Sequence, residues 1–177
     1  AQPPAFLLSA DLGQQLVVLE ERQHRGVEGR RVLDVAGVPG ARAQIKFVST
    51  KIGGGADGSI TPDTQAPGSY IVVGGGNDIW SAADEFTFHY FPQSGSFDFR
   101  VRVESLEPNA PKTKAGLMLR ESVNGNSRMA YVRVTPTGPT FNKSTGANDV
   151  RFQYRTGTTS AAQGEHEDPA AGFPAPG

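Results

Sequence analysis

The first group of side chains suited to binding or catalysis is a polar stretch near residue 60. Asp57, Ser59, Thr61 and Asp63 carry oxygen at alternate positions, which is typical of the opening of a calcium-binding loop. The glycine and the closing bidentate Glu of an EF-hand are not in place, because Gly68 stands where that Glu belongs. The stretch therefore predicts either a calcium site or a plain polar turn. Calcium is the one candidate cofactor.

A second polar stretch surrounds the single tryptophan of the chain. Asn77, Asp78 and Asp84 flank Trp80, and polar groups beside an exposed aromatic ring can bind a sugar. Trp80 and Tyr90 are the candidate stacking rings, and Asp84 is a third candidate calcium ligand. The alternative is that Asn77 and Asp78 cap a turn while Trp80 packs in the core.

Catalytic groups are sparse. A retaining glycosidase needs two carboxylates about 5 Å apart, and neither residues 84–85 nor Glu104 with Glu107 has the spacing that places such a pair on one strand face. His24 and His89 have no matched nucleophile or metal-ligand spacing, and cysteine is absent, which excludes a thiol nucleophile. The residues favour a non-catalytic role.

Charge and hydropathy limit the kinds of partner that this protein can bind. Lys and Arg total 17 against 18 for Asp and Glu, a net charge of -1, so no overall field attracts nucleic acid or an anionic membrane. The longest apolar runs, such as residues 16–19, are too short to span a membrane. Residues 1–4 resemble the end left by signal-peptide removal, which predicts a secreted or cell-surface protein.

Alternating apolar and polar residues predict antiparallel strands over residues 97–103, 130–134 and 150–155. Apolar residues, Phe152 and Tyr154 among them, are expected on one face of each strand. The arginines between them, including Arg133 and Arg155, are expected on the outward face.

Turn and composition signals complete the organisation. Asn124 and Gly125 favour a tight hairpin turn, so the runs on either side of them should pair. We predict an N-terminal arm or accessory strands over residues 1–58, with strands near 15–20 and 43–49. A main β domain follows over residues 59–158, and then a Pro-, Gly- and Ala-rich tail or loop over 159–177.

Four blocks of the sequence resemble, in the same order, a family of concanavalin A-like bacterial extracellular domains of the jelly-roll, laminin-G and glucanase type. The blocks are residues 74–90 with Asp-Ile-Trp, 95–103, 114–122 with Ala-Gly-Leu-Met-Leu-Arg-Glu-Ser, and 152–156 with Phe-Gln-Tyr-Arg-Thr. The resemblance covers residues 69–158. It implies an antiparallel β-sandwich that is non-catalytic and binds carbohydrate or acts in adhesion.

The strands that this family places after the last block have no counterpart here. Either the chain belongs to a longer polypeptide, or the N-terminal arm supplies the strands, or a homo-oligomer or partner chain does so by strand addition. Two further functions stay open: a structural subunit of an extracellular or cell-surface assembly with strand exchange, and part of a secreted polysaccharide-active enzyme.

Overall fold

A computed structural model describes residues 5–11, 15–21, 33–36, 45–66, 69–93, 96–103, 105–106, 113–135 and 149–167. These residues form twelve strands and no helix, and none of them lies in a helix that could cross a membrane. The strands are β1 (Ala5–Asp11), β2 (Gln15–Glu21), β3 (Leu33–Ala36), β4 (Val48–Ile52), β5 (Ser59–Pro62), β6 (Ser69–Val73), β7 (Phe86–Pro92), β8 (Ser96–Val103), β9 (Lys114–Arg120), β10 (Met129–Val134), β11 (Val150–Arg155) and β12 (Gln163–Glu167).

The strands form two sheets. One has five strands in the order β1-β8-β3-β6-β5, and the other has seven in the order β12-β11-β10-β9-β2-β7-β4. Every pair of neighbouring strands is antiparallel. The prediction of an all-β chain with antiparallel strands is confirmed.

The hairpin predicted around Asn124 and Gly125 is present. Strands β9 and β10 pair directly, with Arg120 opposite Met129. The turn between them is closed by the Ser127 N–H, which donates to the Asn124 carbonyl at 3.0 Å. This hairpin carries Arg120, a charged residue that is fully buried.

Strands from the first 58 residues lie in both sheets. β2 lies between β7 and β9 in the seven-stranded sheet, β3 lies between β6 and β8 in the other, and β1 is an edge strand beside β8. The second strand expected in this region, over residues 43–49, is instead β4 at Val48–Ile52. The domain boundary at residue 58 stays a prediction.

One apolar cluster contains residues from both sheets. The five-stranded sheet contributes Tyr70, Val72, Phe99, Val101 and Val103, and the seven-stranded sheet contributes Ala115, Leu117, Leu119, Val134 and Val150. Phe47 packs edge-on against the Tyr70 ring at 5.3 Å and the Phe91 ring at 5.8 Å. The alternating apolar residues of β6, β8, β9 and β10 therefore meet in a common core.

A second apolar cluster lies on the opposite face of the seven-stranded sheet. It contains Ile52, Ile79, Phe86, Phe88, Met118, Met129, Tyr131 and Ala162. Ile79 and Ala162 lie outside the strands, so the segments around them pack on this face. As a result every residue of β9 is buried, although successive side chains of a strand point to opposite faces.

The outward placement expected for Arg133 and Arg155 is wrong. Arg133 is 3% exposed and Arg155 is 2% exposed, because the face they occupy is covered by a second layer rather than by water. The inward placement of Phe152 also fails, since this residue is 41% exposed. Its strand, β11, is one strand from the edge of the seven-stranded sheet.

Strand β12 lies within the stretch for which a loop was expected. Gln163–Glu167 pairs with β11, with Gln163 opposite Tyr154. The stretch has no apolar alternation to signal a strand. Backbone pairing along the edge of an existing sheet does not require such alternation.

Candidate functional sites

A buried ion cluster joins three parts of the described chain. Asp84 accepts hydrogen bonds from Arg120, at 2.5 Å to Oδ2, and from Arg155, at 2.6 Å to Oδ1 and 2.9 Å to Oδ2. All three side chains are fully buried. One carboxylate therefore faces two guanidinium groups, so these three side chains carry a net positive charge inside the protein.

Backbone carbonyls surround the remaining positive charge. Arg120 Nη2 donates to the Asn124 carbonyl at 2.6 Å, and Arg155 Nη1 donates to the Ser127 carbonyl at 3.0 Å. Burial lowers the pKa of Arg120, whereas the adjacent Asp84 opposes that shift. The arginines thus hold the β9–β10 turn against Asp84, and the cluster is a structural one.

The loop before β7 is fixed by the same cluster. Ser81 has a φ of 54°, in the left-handed region, which a non-glycine residue adopts at some energetic cost. Its carbonyl accepts from Arg155 Nη2 at 3.1 Å and from the Ala162 N–H at 2.7 Å. These bonds hold the loop on the second apolar cluster.

The three candidate calcium ligands occupy separate environments. Asp57 pairs with Lys51 at 2.7 Å and is largely exposed. Asp63 is buried, and its Oδ1 accepts the Gln65 N–H at 2.9 Å. Asp84 has both oxygens bound to arginine. Among the described residues no group of three acidic or histidine side chains is placed to hold a metal ion together, and calcium binding by Asp57, Asp63 and Asp84 stays a prediction.

Three of the candidate sugar-binding residues, Asn77, Asp78 and Trp80, lie in the loop between β6 and β7. Asn77 is exposed, and its N–H donates to the Glu85 carbonyl at 2.9 Å. The Asp78 side chain is paired with Lys114, and the Asp78 carbonyl accepts the Glu85 N–H at 2.8 Å. These contacts are those of a turn closed by a short bridge. Their role in binding stays a prediction.

The candidate stacking rings both pack against the second apolar cluster. Trp80 is half-buried, and the guanidinium of Arg151 lies 4.7 Å from its ring centroid. Tyr90 is also half-buried and stacks on Phe88 at 5.2 Å. Part of each ring is therefore already in contact with protein.

An aromatic pair lies elsewhere, on β11, where Phe152 is exposed and Tyr154 is half-buried. The rings of Phe152 and Tyr154 are 5.8 Å apart and inclined by 28°. Directly opposite residues of paired strands share a face, which places Tyr154 beside Ala130 on β10 and the exposed Gln163 on β12. Sequence reasoning missed this pair because alternation assigned it to the core. The low apolar content of the adjoining β12 was the available signal.

Polar side chains of β7 contact β6, the loop that follows β6 and the loop that precedes β5. Thr87 Oγ1 donates to the Ala56 carbonyl at 2.8 Å and accepts the Gly75 N–H at 2.8 Å. His89 is fully buried, and its Nε2 lies 2.9 Å from the Val73 carbonyl of β6. At this end of β7 the contact between the sheets is polar.

No protein-family model matches the chain, and neither a curated protein nor a solved structure matches it. The likeness to concanavalin A-like domains therefore rests on the four sequence blocks and stays a proposal.

Proposed function

We propose that this protein is a secreted or cell-surface module that binds carbohydrate, with Phe152 and Tyr154 as the surface on which a sugar ring stacks. The observation that carries the proposal is the exposure of Phe152, at 41% of its surface, in a pair of near-parallel aromatic rings. Aromatic side chains are enriched at binding surfaces, where they contribute a large apolar contact area.

A concanavalin A-like β-sandwich is the architecture that we propose for this module. It is supported by the apolar cluster to which both sheets contribute and by the hydrogen bond between His89 and the Val73 carbonyl. Two antiparallel sheets that share one core are the usual composition of a sandwich. The sequence blocks over residues 69–158 supply the family likeness.

The chemistry of the β11 surface suits a neutral sugar. A pyranose presents an apolar face of C–H groups, which packs on aromatic rings, and a rim of hydroxyls that need hydrogen-bond partners. The Tyr154 hydroxyl and the exposed Gln163 amide are uncharged groups that can donate and accept. Binding by such groups requires no catalytic chemistry.

Trp80 gives weaker support as the stacking ring. Arg151 lies over its ring, and its other contacts are with the second apolar cluster. A sugar that stacked on the face of the ring beneath Arg151 would have to displace the guanidinium.

Binding is tested with Phe152→Ala and Tyr154→Ala on a glycan array, followed by titration calorimetry with the best ligand. Loss of a central aromatic contact costs about 2 kcal/mol or more, so we expect affinity to fall about 30-fold. Val123→Ala is the matched control, because Val123 is also 41% exposed but lies in the β9–β10 turn.

Binding that survives Phe152→Ala in a folded protein would contradict the proposed surface. If binding is lost only when Trp80 is replaced, the sugar site lies in the loop before β7 instead. An absence of glycan binding, combined with assembly that grows with concentration, would favour the structural-subunit alternative.

A further inference from the structure

A serine and a histidine that are distant in sequence meet across two strands. Ser49 on β4 is directly opposite His89 on β7, and Ser49 Oγ lies 2.8 Å from His89 Nδ1. The two residues are forty positions apart and form no recognisable motif. Only the antiparallel pairing of β4 with β7 brings them together.

The second ring nitrogen determines the direction of the hydrogen bonds. His89 Nε2 lies 2.9 Å from the Val73 carbonyl, and a carbonyl oxygen can only accept. Nε2 must therefore carry the proton, which leaves Nδ1 of the neutral ring as an acceptor for the Ser49 hydroxyl. The arrangement is that of a nucleophile, a base and a third group that orients the base.

Burial keeps the base in its neutral form. His89 is fully buried, and this burial lowers its pKa from 6.5, against the opposing effect of the bond to the Val73 carbonyl. The next residue on the same face of β4 is Lys51, whose ammonium group is already paired with Asp57 at 2.7 Å. The other ionisable residues to consider on the adjoining strands are Tyr70 of β6, which packs in the core shared by both sheets, and Glu20 of β2, which is opposite Thr87, two residues before His89.

The nucleophile is accessible although the base is not. Ser49 is exposed, and β4 is the last strand at one edge of the seven-stranded sheet. The contact between Ser49 Oγ and His89 Nδ1 is only partly buried, so we expect a substrate to reach Ser49 Oγ from this edge of the sheet.

We propose that Ser49 is a nucleophile, with His89 as its general base, for small carboxylic esters. Ser49 Oγ attacks the ester carbonyl carbon while its proton passes to His89 Nδ1. The bond from that carbon to the alcohol oxygen breaks, and the alcohol leaves with the proton from Nδ1. Water then attacks the acyl-serine with the same base, which releases the acid and restores both residues. None of the residues involved belongs to the β11 surface, so this activity is independent of sugar binding.

The test is reaction of the full chain with a fluorophosphonate probe, with the adduct located by peptide mass spectrometry. We expect Ser49 to be labelled and Ser49→Ala to lose that adduct. Ser59→Ala is the matched control, because Ser59 is an exposed serine on the edge strand β5 and is opposite Val73 rather than a histidine.

A positioned general base contributes about 100-fold or more to rate, so Ser49 should react about 100-fold faster than Ser59. The rate should fall as the pH drops through the pKa of His89, which lies below 6.5. His89→Gln should remove both the advantage and the pH dependence, and the pH profile of the unmodified chain serves if that variant does not fold. Hydrolysis of p-nitrophenyl acetate should follow the same pattern.

Labelling of Ser49 no faster than Ser59, or no labelling of either, would overturn the proposal. Ser49 and His89 would then be two residues that form a hydrogen bond without chemical reactivity. Neither result would bear on glycan binding.

Discussion

At the scale of single residues, the least replaceable side chain is Asp84. It is the shared counter-ion of Arg120 and Arg155, and none of the three is accessible to solvent. Removing one partner of a buried ion pair leaves an uncompensated charge in a medium that solvates it poorly. Loss of the Asp84 charge would leave two uncompensated guanidinium charges, those of Arg120 and Arg155, side by side.

We expect Asp84→Asn to reduce the free energy of unfolding by about 3–5 kcal/mol, measured by urea denaturation. The side chain keeps its shape, so the change reports the lost charge. Glu121→Gln is the control, because Glu121 pairs with Arg128 at an exposed position of the same turn. Its urea midpoint should match that of the unmodified chain, and an equal midpoint for Asp84→Asn would contradict the structural role of the cluster.

Sequence patterns could not identify these buried arginines. Alternation separates two faces of a strand, and it predicted correctly that Val134 and Val150 lie on the core side. It does not reveal that a loop covers the other face, where Arg155 lies. The Ser49 and His89 pair was hidden for a related reason, since it depends on which strand becomes the neighbour of β7.

At the scale of elements, β9 is the most constrained strand. It lies between β10 and β2, and all seven of its residues are buried. A Cβ added at Gly116 would lie 2.0 Å from the Val132 carbonyl oxygen and 2.7 Å from Arg133 Cα. Both atoms belong to the backbone of β10, so neither can move without disturbing the pairing.

Gly116→Ala should therefore destabilise the protein by about 1–3 kcal/mol, seen as a lower melting temperature in calorimetry. Gly157→Ala is the comparison, because a Cβ there would meet only the Ser160 hydroxyl oxygen, at 3.3 Å. That side chain can rotate away. Equal melting temperatures for the two variants would show that β9 and β10 are less tightly paired than described.

The hairpin was predictable from sequence and the edge strand β12 was not. Asn124 and Gly125 mark a turn through their tolerance of unusual backbone angles, and the flanking runs alternate clearly. Gln163–Glu167 has no such pattern. It joins the sheet through the backbone of β11, which sequence patterns do not report.

At the scale of the whole molecule, the N-terminal strands are part of both sheets. β2 separates β7 from β9, and β3 separates β6 from β8. The sequence indicates a strand over residues 15–20. It does not decide which of three sources supplies the strands that complete the fold, because no local pattern specifies which distant strands will pair. The described strands favour the chain's own arm as the source.

Deletion of residues 1–44 removes β1, β2 and β3 and should cause the remaining chain to unfold or to associate. β7 and β9 would lose their shared neighbour, and unpaired strand edges promote association. Size-exclusion chromatography with light scattering and far-ultraviolet circular dichroism would show this, with deletion of residues 1–4 as the control. A folded monomer after the larger deletion would show that the arm is dispensable.

The central position of β2 has a consequence for how the chain folds. Val17 is opposite Met118 and Tyr90, so β2 pairs with two strands that are made well after it. Contacts between residues so distant in the chain form slowly, since a long loop must close before they stabilise anything. β2 therefore reaches its place only after both of these neighbours are made, and until then their facing edges stay unpaired.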